Sequence, residues 1–264
     1  MRIVDLSLPI NSNMSGLPGI PAYKENPTRC FPLSVISEQQ EINLKNNGIK
    51  FDRKPELSNH MLSKLEITTH IGTHIDAPLH MLEDTWSIDQ IPLEKIVKKG
   101  KVIPMTNIGP GGMVTADAIL NSGVEFDETV IPILHTGWTE RAWGTDEFWD
   151  DTICMHKDAV ELVVERGVSA VAIDFFPEFP FWWTDDGPPN AVSNSSKGKR
   201  QNVKRPEGQP PGHNHRTLFE NEIILIQMVT NVGAIDADDF LLSAVPLKLE
   251  GLDGSPARVF AIIE

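Results

Sequence analysis

The segment His70-Ile71-Gly72-Thr73-His74-Ile75-Asp76-Ala77-Pro78-Leu79-His80 sets three histidines and one aspartate within eleven residues of a chain that holds eight histidines in all. Imidazole and carboxylate are the ligands that divalent cations such as Zn²⁺ and Mn²⁺ select, and three protein ligands with positions left open make a catalytic arrangement. A solitary histidine reads as a satisfied core group or a solvated loop residue. A cluster at this spacing reads as a metal site.

The spacing restricts the backbone that can deliver such ligands. On a helix His70 and His74 share a face, but Asp76 lies about 200° round from His74, and Gly72 and Pro78 oppose helix continuation. In a straight strand His70 and His74 stand ~13 Å apart along the chain, an awkward span for two ligands of one ion. The solution left is a strand bent at Gly72, so that His70, His74 and Asp76 converge from a strand end and the loop after it. Ile71, Ile75, Ala77 and Leu79 alternate with the polar residues and can anchor this loop on the core.

The elements that must position the segment read as α/β. Residues 3–8 form an edge-type strand, and the Pro, Gly and Asn content up to residue 32 favours an extended loop that is a candidate pocket wall. Residues 62–75 alternate as a strand; 101–105, 129–134, 170–174 and 223–230 read as further strands. Thr115 caps a helix over 115–121, apolar residues at helical spacing put another over 157–166 closed by Gly167, and a cap signal at Asp236 starts a third over 236–242. The succession of helix 157–166, Gly167 and strand 170–174 is an αβ unit, so the expectation is one domain over residues 1–264, with a mixed sheet flanked by helices. The long stretch 175–212 begins aromatic and turns polar and Pro/Gly-rich, a loop insertion whose Phe179, Phe181, Trp182 and Trp183 must pack on the core or line a pocket.

Composition narrows the function classes. The chain has 264 residues with 40% hydrophobic and 23% charged side chains, the profile of a folded globular protein. Its 23 basic and 37 acidic side chains give a formal net charge of -14, which disfavours nucleic acid and anionic membrane surfaces as partners. Cys30 and Cys154 stand far apart and outside any zinc-finger spacing, and the start MRIVDLSLPINSN carries no secretion signature, so a cytoplasmic location is expected.

The motif resembles the signature of the cyclase-like metal-dependent hydrolases, which include kynurenine formamidases and isatin hydrolases. Ser87-Ile88-Asp89, Ile91-Pro92-Leu93-Glu94, His135-Thr136-Gly137-Trp138, residues 246–250 and residues 254–258 extend the resemblance over nearly the whole chain. It implies a swivelling β/α-type fold, a metal held by His70, His74 and Asp76, His80 as general acid/base, and a homodimer or larger homo-oligomer. In the formamidase branch Asp76 would bridge to a second metal held by a later histidine and a glutamate twelve residues beyond it. His215 is the best such histidine here, with His213 competing. Twelve residues after His215 stands Gln227, a neutral amide that binds a hard cation weakly, so one catalytic ion is the expectation, with His215, Gln227 and His213 as second-site or substrate contacts.

The chemistry expected is attack by water, activated by Mn²⁺ or Zn²⁺, on an amide, imide or lactone carbonyl of a small aromatic or cyclic substrate, with His80 moving the proton. Ile20, Pro21, Tyr23 and the aromatic stretch 175–183 would supply apolar walls. Two other classes fit the same motif: a metal-dependent cyclase or lyase, and a metal-binding protein without turnover. The acidic residues 146–151 read as solvated turns.

Overall fold

Runs of β-branched and small apolar residues, interrupted by Gly, Pro and Asn, form the sheet that carries the histidine segment. The computed structural model describes residues 1–14, 16–50, 61–183 and 205–264. Among them are β1 (Arg2–Asp5), β2 (Arg29–Ser34), β3 (Leu62–Glu66), β4 (His74–Asp76), β5 (Val97–Pro104) and β6 (Met113–Val114). The later strands are β7 (Val130–His135), β8 (Cys154–Met155), β9 (Ala170–Ile173), β10 (Ile224–Gln227), β11 (Phe240–Pro246) and β12 (Gly254–Ile263). Eight of these strands make one sheet in the order β1-β12-β11-β5-β7-β9-β10-β4, and β4 also pairs with β12, which closes the sheet into a barrel. Closure removes the free edge that β4 would otherwise expose.

The sheet is mixed, as the alternation of elements predicts. β5 with β7, β7 with β9, and β9 with β10 run parallel, whereas β11 and β12 pair antiparallel, as do β4 with β10 and β12. Helix Lys157–Glu165 falls between β7 and β9 in the chain, the kind of crossover that two parallel neighbours require. Gly167, at a φ of 67°, ends that helix in the left-handed region where glycine is unstrained. Thr115 Oγ1 accepts from the Ala118 N–H at 3.2 Å and caps helix Ala116–Leu120, as its sequence indicates.

Two apolar clusters share the strands. Ile75, Ile131, Ile133, Ala172, Ile226 and Leu242 fill one side, and Ile103, Leu134, Val171, Ile173 and Leu225 pack on the other against helices Lys157–Glu165 and His213–Glu220. β9 is buried on both faces and therefore reads as a continuous apolar run, AVAI. Each fully buried Ile or Leu here contributes about 1.5–3 kcal/mol of transfer free energy, so the barrel is a rigid platform for what it carries.

Three expectations require correction. Residues 62–75 are not one strand: β3 pairs with β2 in a separate antiparallel ribbon, the chain bends through residues 69–73, and only His74–Asp76 join the barrel. Residues 236–242 do not form a helix, because from Phe240 the chain is β11, whose Leu242 and Ala244 alternate into the core between β5 and β12. The stretch up to Pro32 is not wholly extended, since it contains helix Pro21–Glu25 and most of β2. Of the long insertion, Phe175, Phe176, Phe179 and Trp182 are buried, while residues 184–204 and the side chain of Trp183 lie outside the described residues.

Candidate metal centre

β4 supplies the first two groups. His74 and Asp76 are two residues apart and so point to the same face, while Ile75 between them enters the core. Gly72 has a φ of 60°, the bend that the spacing demands, and it turns the chain so that His70 comes alongside Asp76. The bend precedes the strand instead of following it. His70 Nδ1 lies 2.7 Å from Asp76 Oδ1, and His74 Nε2 lies 3.2 Å from the same oxygen. His74 Nδ1 donates to the Gly72 carbonyl at 2.7 Å, which fixes the ring and aims its Nε2 at the carboxylate.

The flanking strands bring the other groups. In the ladder His74 stands opposite Gln227 of β10 and Asp76 opposite Gly254 of β12. Gln227 Nε2 donates to Asp76 Oδ2, and His215 Nε2 lies 3.4 Å from that oxygen. Asp253, just ahead of β12, accepts from His70 Nε2 at 2.8 Å, from His80 Nδ1 at 3.2 Å and from Thr69 Oγ1 at 3.1 Å. The His70 and His80 rings lie close, with centroids 4.0 Å apart and planes tilted by 37°. His215 lies in the first turn of helix His213–Glu220 and is fixed by Glu178 Oε1, which accepts from its backbone N–H and from Nδ1, both at 2.8 Å. His213, two residues earlier, is half-buried and does not line the cavity that the other histidines share.

The electrostatics follow from burial. Asp76 is fully buried, and its ion-pair partners among the described residues are histidines alone. Burial raises the cost of its charge, but His70, His74 and the His215 contact outweigh that and hold the carboxyl well below its usual range. Burial likewise works against a charged His70, and Asp76 with Asp253 reverse the balance and lift it to about 10. His215 is lifted to about 9 against its own burial by Asp76 and Glu178. Hydrogen bonds from His70 and His80 keep the Asp253 carboxyl far below its ordinary value.

A fully buried carboxylate whose ion-pair partners among the described residues are imidazoles fits a divalent cation, because the ion can do what the histidine protons do without it. His70, His74 and Asp76 offer atoms within 4.8 Å of one another, and so do Asp76, His80 and His215, and His70, His80 and Asp253. The acidic residues 146–151 are in none of these groups. Asp253 and Glu178 were not singled out by sequence reasoning. Asp253 sits between two stretches that were, and Glu178 lies in the aromatic stretch, so each had a neighbour as its only signal.

The centre opens into a cavity of about 580 Å³. Trp143, Trp149, Phe176, Phe179 and Phe181 line it together with Leu17, Ile20 and Tyr23 of the N-terminal stretch, whereas Pro21 does not. The Tyr23 hydroxyl donates to the His70 carbonyl at 2.9 Å and so ties the wall to the turn that carries His70. Burial, followed by the charges of Asp76 and Asp253, pushes the Tyr23 phenol above its ordinary value, so it stays a donor.

The same fold occurs in proteins of known structure, and related sequences carry names. A kynurenine formamidase of Bacillus anthracis is 24% identical over 255 residues, covering 97% of this chain and 94% of its own. Among solved structures, an isatin hydrolase bound to the product analogue thioisatinate superposes with a TM-score of 0.70 at 19% identity, covering 99% of this chain and 92% of its own. A potential metal-dependent hydrolase with cyclase activity gives 0.63 at 22% identity, covering 98% and 96%. The family described as putative cyclase matches residues 4–177. With its barrel, its His70–His80 segment and its hydrolase relatives, the chain is a hydrolase and belongs to the putative cyclase family.

Proposed function

We propose that the protein is a metal-dependent hydrolase of an amide, imide or lactone bond in a small aromatic or cyclic substrate, with one Mn²⁺ or Zn²⁺ held by His70, His74 and Asp76. The observation that carries the reading is Asp76, fully buried with histidines as its ion-pair partners among the described residues, beside an aromatic cavity that His70, His74, His80 and His215 line. A divalent ion there supplies Lewis-acid polarisation of a carbonyl and a lowered pKa for water. Gln227 Nε2 donates to Asp76 Oδ2, and a neutral amide would be a weak ligand for a second hard cation, which supports a single ion.

The chain's own groups handle orientation and protons. Asp253 Oδ2 accepts a hydrogen bond from His80 Nδ1 and so leaves Nε2 of that ring to accept a proton from water and deliver it to the leaving group. His80 is the most exposed of the clustered histidines, as a group exchanging protons with substrate needs to be. The aromatic walls exclude water and fit a flat ring. The names of the formamidase and isatin hydrolase relatives favour hydrolysis over a cyclase, a lyase or a site without turnover.

The test is turnover of a panel of formamides, imides and lactones by protein loaded with Mn²⁺ or Zn²⁺, with bound metal measured separately. About one ion per chain and hydrolysis of at least one member are expected. His80→Ala should keep its metal and lose about 10²- to 10⁴-fold in kcat. Full turnover by that variant, or bound metal with no hydrolysis across the panel, would overturn the assignment.

A further inference from the structure

Glu178 is a buried carboxylate in an apolar wall. It lies between Phe176 and Phe179, all three line the cavity, and it is 7% exposed. Its two oxygens have different surroundings. Oε1 accepts both the backbone N–H and the Nδ1 proton of His215. Oε2 has no hydrogen-bond partner among the described residues. An acceptor of this strength in an apolar cavity discriminates between ligands that bring a donor to it and ligands that do not.

Resting on the hydrolase reading above, we propose that Glu178 Oε2 accepts an N–H of the substrate, so that the enzyme takes cyclic amides and imides with a free N–H in preference to N-alkylated analogues and lactones. A lactone sets a ring oxygen where the lactam or imide has its N–H, and lone pair then faces carboxylate. An N-methyl group puts an apolar carbon against the same charge and leaves it unpaired. Aromatic walls fix the plane of the ring, and Glu178 fixes which edge of it turns inward.

The bonds to His215 make one substitution diagnostic. In Glu178→Gln the amide oxygen must stay on His215, which offers two donors, so the NH₂ replaces Oε2 and an acceptor becomes a donor. The probes are phthalimide, N-methylphthalimide and the lactone phthalide, with kcat/KM and Kd measured on Mn²⁺-loaded protein. The wild type is expected to favour phthalimide over its N-methyl derivative by about 100-fold, less than for a fully enclosed polar contact because water can replace the substrate at Oε2. Glu178→Gln should bring that ratio to about one or invert it, with phthalide gaining, while metal content is unchanged. An equal wild-type response to phthalimide and its N-methyl derivative, no binding of either, or a ratio that Glu178→Gln leaves intact, would overturn the proposal. A Kd ratio that favours phthalimide without turnover would support the N–H contact and count against the hydrolase reading alone.

Discussion

Asp253 holds two histidines at once, with Oδ2 between His70 Nε2 and His80 Nδ1 and Thr69 steadying Oδ1. A carboxylate behind an imidazole fixes its tautomer and raises its basicity, and loss of such a group costs 10- to 100-fold in affinity or activity. Asp253→Asn keeps the shape and removes the charge, so kcat/KM is expected to fall about 10- to 100-fold, with metal affinity weakened through His70. Steady-state kinetics at saturating metal separates the two effects: a loss that excess metal fully restores would place Asp253 behind His70 only. Legibility at this scale was uneven. His70, His74, Asp76 and His80 are conspicuous because they are dense in the sequence, whereas Asp253 lies 183 residues from His70 and resembles any acidic turn residue until the fold brings it home.

β4 is three residues long and would be unstable alone, yet it holds His74 and Asp76 because β10 and β12 pair with it from both sides. Gly254, opposite Asp76, is the point of closest approach between that ladder and the His70 ring. A Cβ there would stand 2.7 Å from His70 Cε1 and 3.0 Å from the Ile75 carbonyl, and the backbone atom cannot yield. Gly254→Ala is therefore expected to push His70 off its two carboxylates and to weaken metal binding at least 10-fold, with a smaller effect on the fold. Metal titration together with a thermal melt would decide it; undiminished affinity would show that His70 tolerates the shift. Sequence reasoning found the bend at Gly72 but set it after the strand, because alternation continues without interruption through residues 62–75. It also took the cap signal at Asp236 for a helix start, where cross-strand pairing of Phe240–Pro246 with β5 and β12 overrides the local preference.

For the whole molecule, stability and metal occupancy are linked through protons. His70 and His215 have folded values of about 10 and about 9 against an ordinary 6.5, so their stabilisation is complete below pH 6.5 and is lost as pH rises through those values. Asp76 has the opposite sign: its contribution is present above 3.8 and is lost as pH falls towards its depressed value. Chelator-treated protein should accordingly lose Tm between about pH 6.5 and pH 10, and protein loaded with Mn²⁺ or Zn²⁺ should lose much less, because the ion replaces the protons. Melts at both ends of that range, with and without chelator, check this. A Tm that is flat in the chelated protein would contradict the ion pairs.

The sequence by itself determined the α/β class, the bend at Gly72 and the grouping of His70, His74, Asp76 and His80 as a candidate site, because residue types, periodicity and backbone permissiveness are local properties. The tertiary structure alone decided which distant groups complete the centre. Glu178 stands 37 residues before His215 in the chain, and Asp253 stands 183 residues after His70. They meet because β4 closes the barrel between β10 and β12, and strand pairing over such separations depends on the sum of core contacts rather than on any short run of residues.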